Sequence, residues 1–339
     1  MSPRLRMALK TGGLELPETG LISVLRPAAD MDLSDLPRDR VEVVQPIKPD
    51  HDHFQNMGFA CRSDSDARAA AVIVCLPRAK ALAQGLIAQA CARSDGLVIV
   101  DGEKTDGADS MLKACRARVD VQGPVSKAHG KVFWFKPAPD AFADWQQAEF
   151  LNVGGFVTSA GVFSADGIDP ASQMLADELP PLSGNVVDLG AGWGFLSAML
   201  AKMPSVSKID LVEADQVALN CAHRNVTDKR AHFHWADATN WSTENRVDAI
   251  VMNPPFHNGR ASEPALGKTF ISAAARLLAP SGKLWMVANR HLPYETTLSE
   301  AFVSVSEVSG DSRFKIFRAE RPVRNGSRQG ARSAIRRRR

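Results

Sequence analysis

Residues 188–194 have the sequence D-L-G-A-G-W-G, and this stretch decides the fold that the sequence predicts. The apolar run Asn185–Leu189 predicts a strand, and Phe195–Met203 predicts a helix that ends before Pro204. A strand, a glycine turn and a helix in this order begin a parallel sheet with helices on its faces. Glycines in the turn let a ligand approach the backbone, where the N–H groups of the helix start can bind it.

Strand and helix continue to alternate through the rest of the second half, as a doubly wound α/β sheet requires. The further predicted strands are Lys208–Glu213, Ala231–Ala236, Val247–Asn253 and Gly282–Ala288, and the further helices are Gln216–Val226 and Pro264–Leu278. Phe302–Val308 and Phe314–Arg318 flank a Gly-Asp turn and predict a hairpin with an antiparallel last strand at one edge. We therefore predict an open sheet of about seven strands, which binds ligands beyond the C-terminal ends of its strands.

The first half repeats this pattern in a degenerate form. Ala71–Pro77 resembles Ala249–Pro254 in hydrophobicity and in its proline, and an apolar strand follows later in both halves. Leu76 stands where Asn253 stands, and no acidic, glycine-rich strand end occurs before residue 150. We therefore predict two tandem Rossmann-like doubly wound sheets, of which the first has no cofactor site and binds substrate or supports its twin.

Length and composition agree with two domains. The chain has 339 residues, of which 45% are hydrophobic and 23% are charged, as in soluble globular proteins. We assign residues 1–147 to the first domain and 148–322 to the second, with a proline-containing linker near 137–150. No apolar run approaches the roughly 20 residues of a membrane span, no secretory signal is evident, and the five cysteines form no C-x-x-C pair. These features predict a cytoplasmic protein with reduced thiols.

The arginines are concentrated at the C-terminal end. Residues 321–339 contain eight arginines and no acid, so the net charge of +3 hides a net acidic remainder. Residues 323–339 have too few apolar side chains to build a core, and we predict a disordered tail. Two interpretations of this tail stay open, a solubilising end and a phosphate-binding arm.

The glycine stretch favours S-adenosylmethionine over a dinucleotide. The dinucleotide motif G-x-G-x-x-G is absent, and Asp188 precedes the first glycine by two residues, where it can pair with an ammonium group. S-adenosylmethionine carries such an amine, whereas a pyrophosphate does not. The backbone of this site comes from Gly190, Ala191, Gly192 and Gly194.

Two further acids are placed to hold the nucleoside part of this cofactor. Glu213 ends the next predicted strand, where a carboxylate can accept both ribose hydroxyls. Asp237, followed by Ala238, ends the third strand, within reach of an adenine amine. No histidine pair has a third ligand at zinc-site spacing, so we predict no metal site.

The sequence N-P-P-F-H at 253–257 predicts the catalytic turn. Neither proline can donate a backbone N–H, so the turn presents acceptors, the side-chain oxygen of Asn253 and the carbonyl of Pro254. Two acceptors aimed at one point suit an exocyclic amine. We expect Pro255 and Phe256 to contact the substrate, Phe256 by stacking on a planar ring. His257 either contacts the substrate or orients the turn, and Tyr294 is expected to flank the target pocket.

With these motifs the chain resembles the class I methyltransferases that modify the N2 amine of guanine in bacterial ribosomal RNA. Beyond N-P-P-F-H, the resemblance rests on Gly161–Ser164, Gly167–Asp169, Ser172–Gln173, Ala288–Tyr294 and Phe314–Ala319. It implies that Val162 and Phe163 fold over S-adenosylmethionine and that guanine enters at Asn253–Phe256. It also implies that the first domain is a degenerate copy, used for RNA recognition or support. The expected partner is ribosomal RNA or a ribosomal subunit, bound by a monomer without metal or membrane.

Several alternatives remain at this point. Chain length and Ser172-Gln173 favour the 16S (small-subunit) branch of the family, whereas Asn289–Leu292 favours the 23S (large-subunit) branch. Methylation of another planar amine, adenine N6 or glutamine N5, is a rival, although those groups usually carry tyrosine at the position of Phe256. A non-enzymatic RNA-binding assembly factor is the third interpretation, opposed by the intact motifs at 188–194 and 253–256.

Overall fold

The protein is described by a computed structural model that covers residues 2–255, 257–258, 261–262 and 264–324. Its contacts divide the chain into two compact units. One unit holds the residues up to Leu151 together with Ser159–Gly161, and the other holds Asn152–Thr158 and the residues from Val162 onward.

The first unit is built on a seven-stranded sheet. Its strands are β1 (Ile22–Leu25), β2 (Val41–Val44), β3 (Ala60–Arg62), β4 (Ala69–Cys75), β5 (Ser94–Glu103), β6 (Gln122–Lys127) and β7 (Gly130–Phe135). Its α-helices are α1 (Pro3–Thr11), α2 (Lys48–Asn56), α3 (Lys80–Arg93) and α4 (Ala108–Arg116). The strand order is β3-β2-β1-β4-β5-β7-β6, and β7 runs antiparallel to both of its neighbours. The central strand β4 is nearly all apolar because helices cover both faces of such a sheet.

The second unit repeats the architecture. A short hairpin of β8 (Leu151–Val153) and β9 (Phe156–Thr158) precedes it. Its strands are β10 (Gly184–Leu189), β11 (Val206–Glu213), β12 (Ala231–Trp235), β13 (Val247–Met252), the short pair β14 (His257–Asn258) and β15 (Ala261–Ser262), β16 (Leu278–Asn289), β17 (Phe302–Gly310) and β18 (Phe314–Pro322). Its α-helices are α5 (Pro170–Glu178), α6 (Phe195–Leu200), α7 (Gln216–Asn225), α8 (Pro264–Leu277) and α9 (Glu295–Ala301).

The strand order of the second sheet is β12-β11-β10-β13-β16-β18-β17, with β18 antiparallel to β16 and β17. The predicted fold class is confirmed: both sheets have seven strands in the same order, and the last strand is antiparallel. The predicted duplication agrees with this order, since β4 and β13 hold the same position, and Leu76 and Asn253 follow them. In the second sheet β10 lies between β11 and β13, so the C-terminal ends of these three strands meet at one edge.

Several element boundaries differ from the prediction by a few residues, and two of them have a local reason. Helix α6 ends at Leu200 rather than Met203. The residue before a proline is disfavoured in the helical conformation, so the chain leaves the helix before Pro204. Strand β16 begins at Leu278, directly after α8, because Leu278 pairs with Val247 at the start of β13.

The described chain reaches past the predicted start of the tail at residue 323. The backbone N–H of Val323 donates to the carbonyl of Ala301 at 2.8 Å. The guanidinium of Arg324 donates to the carbonyls of Ala275 and Leu278. The rest of the predicted tail, residues 325–339, lies outside the described residues. In the described part of the chain, no helix combines the length and apolar character that a membrane span needs.

Candidate active site

The glycine loop joins β10 to α6. Its glycines adopt positive φ angles, which would be strained for residues with a side chain. Gly192 has a φ of +55°, and a Cβ atom built there would meet nothing within 4 Å. Gly194 has a φ of +86° and precedes α6, and a Cβ atom there would lie 3.1 Å from Ala222 and Val226. Glycine is therefore needed at both positions, at Gly194 for close packing and at Gly192 to leave space in front of the backbone.

Asp188 is buried at the end of β10 with one carboxylate oxygen unpaired. Its Oδ2 atom accepts a hydrogen bond from the hydroxyl of Ser197 at 2.7 Å. Its Oδ1 atom is buried and has no hydrogen-bond partner among the described residues. Burial raises the pKa of Asp188 to about 6. A buried carboxylate oxygen without a partner is costly, so this site is suited to a ligand that brings a positive charge or an N–H donor.

Glu213 ends β11 and is bonded to the glycine loop. Its Oε2 atom accepts from the backbone N–H of Gly192 at 2.7 Å, and its Oε1 atom accepts from the N–H of Asp215 at 2.8 Å. Burial, and to a smaller extent the charge of Asp215, raises the pKa of Glu213 to about 7. The predicted ribose-binding acid thus lies beside the loop predicted to bind the rest of the cofactor.

The carboxylate of the third predicted acid, Asp237, accepts hydrogen bonds from the turn that directly follows it. Its carboxylate accepts from the N–H and hydroxyl of Thr239 at 2.8 and 2.7 Å, and from the side chain of Asn240 at 2.9 Å. Ala238 is buried in the core of the second sheet. Contact of Asp237 and Ala238 with adenine stays a prediction.

Trp193, in the middle of the glycine loop, connects the loop to the segment before α5. Its indole Nε1–H donates to the carbonyl of Phe163 at 3.0 Å, and its ring packs against Phe156 with centroids 5.2 Å apart. The side-chain amide of Asn225 donates to the carbonyls of Val157 and Trp193, at 2.8 and 2.7 Å. The segment that contains Phe163 is therefore held at the glycine loop.

Asn253 follows β13, and its amide is held by the start of α5. The Nδ2 atom donates to Oδ2 of Asp169 and to the hydroxyl oxygen of Ser172, both at 2.9 Å. These two acceptors account for both hydrogens of the amide, so its oxygen remains to accept a hydrogen bond. Of the following residues Pro254 is buried and Pro255 is exposed. The predicted substrate contacts of Phe256 and of the His257 side chain lie outside the described residues.

One cleft is shared by the glycine loop, the segment that contains Phe163, and Asn253. Its cavity volume is about 40 Å³. Its lining residues are Phe163, Ser164, Asp169, Ser172, Gly190, Ala191, Gly192, Trp193, Phe195, Leu196 and Asn253. Phe163 is exposed at its rim, whereas Val162, also predicted to contact the cofactor, is buried. Within the described ranges, no group of three or more His, Cys, Asp or Glu side chains could hold a metal ion.

Tyr294, predicted to flank the target pocket, packs inside the second unit. It is fully buried in the core of the second sheet, and a Cβ atom at Gly267 of α8 would lie 2.0 Å from its hydroxyl oxygen. The glycine therefore leaves the space that the tyrosine fills. Contact of Tyr294 with the target base stays a prediction, and the structure shows its side chain packed in the core.

Three polar residues of the site were not predicted as functional: Asp169, Ser172 and Ser197. In the sequence analysis Asp169 and Ser172 belong only to the segments on which the family resemblance rests, and no role was predicted for them. Asp169-Pro170 has the sequence of a helix start, an Asp N-cap before a proline in the first turn, and this signal predicts the position of α5. Nothing in the sequence indicates that this helix start meets the end of β13.

Comparisons with known proteins agree with this architecture. Residues 154–318 match the methyltransferase small domain family. The ribosomal RNA small subunit methyltransferase C of Shewanella pealeana is 34% identical over 258 residues, which are 73% of this chain and 76% of that protein. The protein of the same name from Vibrio cholerae is 27% identical over 274 residues, 78% of this chain and 81% of that protein.

The structural comparison extends over both units. A 16S rRNA N2 methyltransferase of T. thermophilus, solved in complex with AdoMet and guanosine, superposes with a TM-score of 0.75. It is 24% identical in sequence, and the match covers 91% of this chain and 90% of that one. This likeness shows that the two chains share a fold.

Proposed function

Because the chain belongs to the ribosomal RNA small subunit methyltransferase C family, we propose that it methylates the N2 amine of a guanine in 16S ribosomal RNA with S-adenosylmethionine. The observation that carries this proposal is the commitment of both Asn253 amide hydrogens to Asp169 and Ser172. The amide oxygen is thereby left as an acceptor in a residue that lines the same cleft as the glycine loop. An exocyclic amine donates hydrogen bonds and is matched by this acceptor.

The residues around the glycine loop fit S-adenosylmethionine. Asp188 has a buried oxygen without a partner in the described chain, suited to the ammonium group of the methionine part. The space in front of Gly192 accepts a ligand against the backbone, and Glu213 beside it can accept from ribose hydroxyls. Asp237 and Ala238 are proposed to contact the adenine, and Val162 and Phe163 to cover the cofactor. When bound, the cofactor supplies an electrophilic methyl group on a positively charged sulfur.

In this proposal Asn253 and Pro254 bind the amine and orient it for the transfer. The lone pair of the guanine N2 amine is delocalised into the purine ring, so the flat amine is a weak nucleophile. Acceptors on both of its hydrogens, Asn253 Oδ1 and the Pro254 carbonyl, favour the pyramidal form and aim the lone pair. No carboxylate base is required, because the amine proton becomes acidic once the methyl group is attached. Pro255, Phe256 and His257 are proposed to hold the base, Phe256 by stacking.

We propose that the first unit binds the backbone of the RNA. The polypeptide continues from β1 into Arg26 and Pro27, with no glycine loop of the kind that follows β10. Where β5 ends and the β6–β7 turn begins, a cleft is lined by Lys104, Lys127, Lys131 and other polar residues. Lys131 pairs with Asp109 at 2.6 Å, whereas Lys104 and Lys127 make no ion pair with any residue that the structure describes. The hydrogen bond and the charge of Lys131 lower the pKa of Asp109 in the same cleft, and the charge of Lys104 also helps to lower it, but less than Lys131 does. Two ammonium groups without an ion pair at one cleft suit phosphates, which position a nucleic acid without specifying its sequence.

The remaining assignments follow from this function. We propose that the protein acts as a monomer in the cytoplasm, where ribosomal subunits are assembled. The Arg-rich residues 323–339 stay predicted either as a solubilising end or as a phosphate-binding arm.

Transfer of a tritiated methyl group tests the proposal. The full chain is incubated with labelled S-adenosylmethionine and, separately, with small subunits, naked 16S rRNA, large subunits, 23S rRNA, DNA and translation factors from cells that lack the enzyme. We expect label as N2-methylguanine in 16S rRNA, naked or assembled. Label in 23S rRNA, DNA or protein instead would overturn the assignment. Asn253→Ala should abolish transfer while calorimetry still detects cofactor binding.

A further inference from the structure

The start of α5 and the end of β13 are joined through a single side chain. The Nδ2 atom of Asn253 donates one hydrogen to Asp169 and the other to Ser172, both at 2.9 Å, across 84 and 81 residues of sequence. We propose that Asp169 and Ser172 are positioning residues that fix which end of the Asn253 amide faces the target amine. This inference rests on the proposed function, since it explains how that function obtains its acceptor.

The orientation of an asparagine amide decides whether it accepts or donates. Rotation of the amide by half a turn exchanges its oxygen and its NH₂ group in nearly the same volume. With the oxygen towards the cleft, Asn253 accepts a hydrogen bond from the amine of the base. With the NH₂ group there, two donors would face each other and the amine would be repelled. The reaction therefore needs one of two orientations that are almost equal in shape.

Asp169 is the partner that distinguishes the two orientations. An ionised carboxylate only accepts hydrogen bonds, so it can face the NH₂ end of Asn253 but not the oxygen. The hydroxyl of Ser172 can donate or accept, and it becomes the second acceptor once Asp169 has set the orientation. A negative charge at the NH₂ end also polarises the amide and makes its oxygen a stronger acceptor.

The two partners are held rigidly by the helix that they begin. Asp169 is the N-cap of α5, and the same Oδ2 atom that faces Asn253 accepts the backbone N–H of Ser172 at 2.8 Å. Pro170 occupies the first turn, and Ala171 and Leu175 are buried and anchor the helix. Only 8% of the Ser172 surface is exposed, so little water competes for its hydroxyl. The helix start thus acts as a fixed support for the catalytic amide.

Exchange of the two side chains tests the inference. Asn253→Asp alone places a second carboxylate against Asp169, and we expect kcat to fall about 100-fold or more. Asp169→Asn alone removes the strict preference for an acceptor: its oxygen can still accept from Ser172 and Asn253, or its NH₂ group can face the Asn253 oxygen with loss of the helix cap. With both arrangements open we expect kcat to fall about tenfold. In the double variant Asp169→Asn with Asn253→Asp, the NH₂ group introduced at position 169 can face the carboxylate introduced at position 253, although it then gives up the backbone N–H of Ser172. We expect kcat to recover at least about tenfold over Asn253→Asp, together with a lower melting temperature from the lost helix cap.

Three measurements separate positioning from a structural role. Ser172→Ala leaves the helix cap intact, because the cap bond uses the backbone N–H of residue 172. We expect kcat to fall in this variant, while its dissociation constant for S-adenosylmethionine and its melting temperature change little. Gln173→Ala is the matched control, since it removes a 2.8 Å hydrogen bond to Asp177 in the same helix that does not involve Asn253. If the double variant is no more active than Asn253→Asp, or if kcat falls only as far as stability does, Asp169 and Ser172 are structural residues.

A spectroscopic readout keeps the inference testable if the proposed substrate is wrong. In protein labelled with ¹⁵N-asparagine, the side-chain NH₂ pair of Asn253 is identified by its loss in Asn253→Ala. We expect both hydrogens to exchange slowly with solvent in the wild type, and to exchange faster in Ser172→Ala and Asp169→Asn. Fast exchange in the wild type would overturn the positioning role. Slow exchange without methylation of 16S rRNA would support it and reject only the substrate.

Discussion

The carboxylate of Glu213 accepts a hydrogen bond from the backbone N–H of Gly192 at 2.7 Å, so the acid at the end of β11 is joined to the loop after β10. Despite this bond and a second one from Asp215, burial raises the pKa of Glu213 to about 7. Burial likewise raises the pKa of Asp188 to about 6. Both acids of the cofactor site therefore take up protons near neutral pH in the free protein.

These two pKa values predict how cofactor binding depends on pH. Below its raised pKa each acid is protonated in the free protein, and a ligand that needs the carboxylate as an acceptor must displace that proton. We therefore expect the dissociation constant of S-adenosylmethionine to fall as pH rises from about 5 to about 7.5. Calorimetry in buffers of different ionisation enthalpy should show protons released on binding. Glu213→Gln should remove the part of the dependence near neutral pH, and wild-type binding that is independent of pH would contradict this account.

Replacement of Asp188 should separate stability from function. Asp188→Asn keeps the shape of the side chain and its bond to Ser197 but removes the buried negative charge. The Oδ1 atom of this carboxylate has no hydrogen-bond partner within the described ranges. A neutral amide costs less to bury than a carboxylate. At about pH 8, where the acid is ionised, we expect the free variant to melt at or above the wild-type temperature and to bind S-adenosylmethionine at least about tenfold more weakly. A variant that loses stability and keeps its affinity would show that Asp188 is structural.

The indole of Trp193 should contribute to cofactor affinity without touching the reacting amine. Trp193→Phe keeps a ring against Phe156 but removes the 3.0 Å hydrogen bond to the carbonyl of Phe163. One such bond is worth about 1 kcal/mol, so we expect the dissociation constant of S-adenosylmethionine to rise about fivefold. Trp134→Phe, which removes a comparable 3.0 Å bond to Gln122 in the first unit, is the control and should leave this constant unchanged. Equal effects of the two variants would argue against a covering role for the segment of Phe163.

The buried position of Tyr294 predicts that its hydroxyl is dispensable. The hydroxyl has no hydrogen-bond partner among residues 2–255 and 264–324, so Tyr294→Phe removes an unpaired buried polar atom. We expect the variant to be at least as stable as the wild type and to transfer methyl groups within about twofold of its rate. Gly267→Ala should be strongly destabilising, because a Cβ atom would lie 2.0 Å from that hydroxyl oxygen, and Tyr294→Phe should relieve part of this loss. A large loss of activity with normal stability in Tyr294→Phe would instead support the predicted position of Tyr294 beside the target pocket.

The alternation of strand and helix in the second half was sufficient to predict its sheet, because local apolar periodicity sets the elements and their short connections limit the topology. The glycine loop and Glu213 were also predictable, since parallel strands bring their C-terminal ends together. The bond from Asn253 to Asp169 was not, because it joins residues 84 positions apart and depends on where a helix start packs against a strand end. The burial of Tyr294 was not predictable for a similar reason, since the space that it fills is provided by a glycine on another helix.

The two unpaired lysines of the first unit should govern affinity for RNA and not for the cofactor. Lys104 and Lys127 line one cleft and make no ion pair with the residues that the structure describes. If each ammonium neutralises a phosphate, the variant Lys104→Glu with Lys127→Glu should reduce the slope of log affinity against log salt by about two. Filter binding of 16S rRNA at several salt concentrations measures this slope, and calorimetry should show an unchanged affinity for S-adenosylmethionine. The control Lys113→Glu changes an exposed lysine at the far end of α4, and it should lower RNA affinity only slightly. If the double variant and the control have the same slope as the wild type, the RNA lies elsewhere and the cleft is an ordinary charged surface.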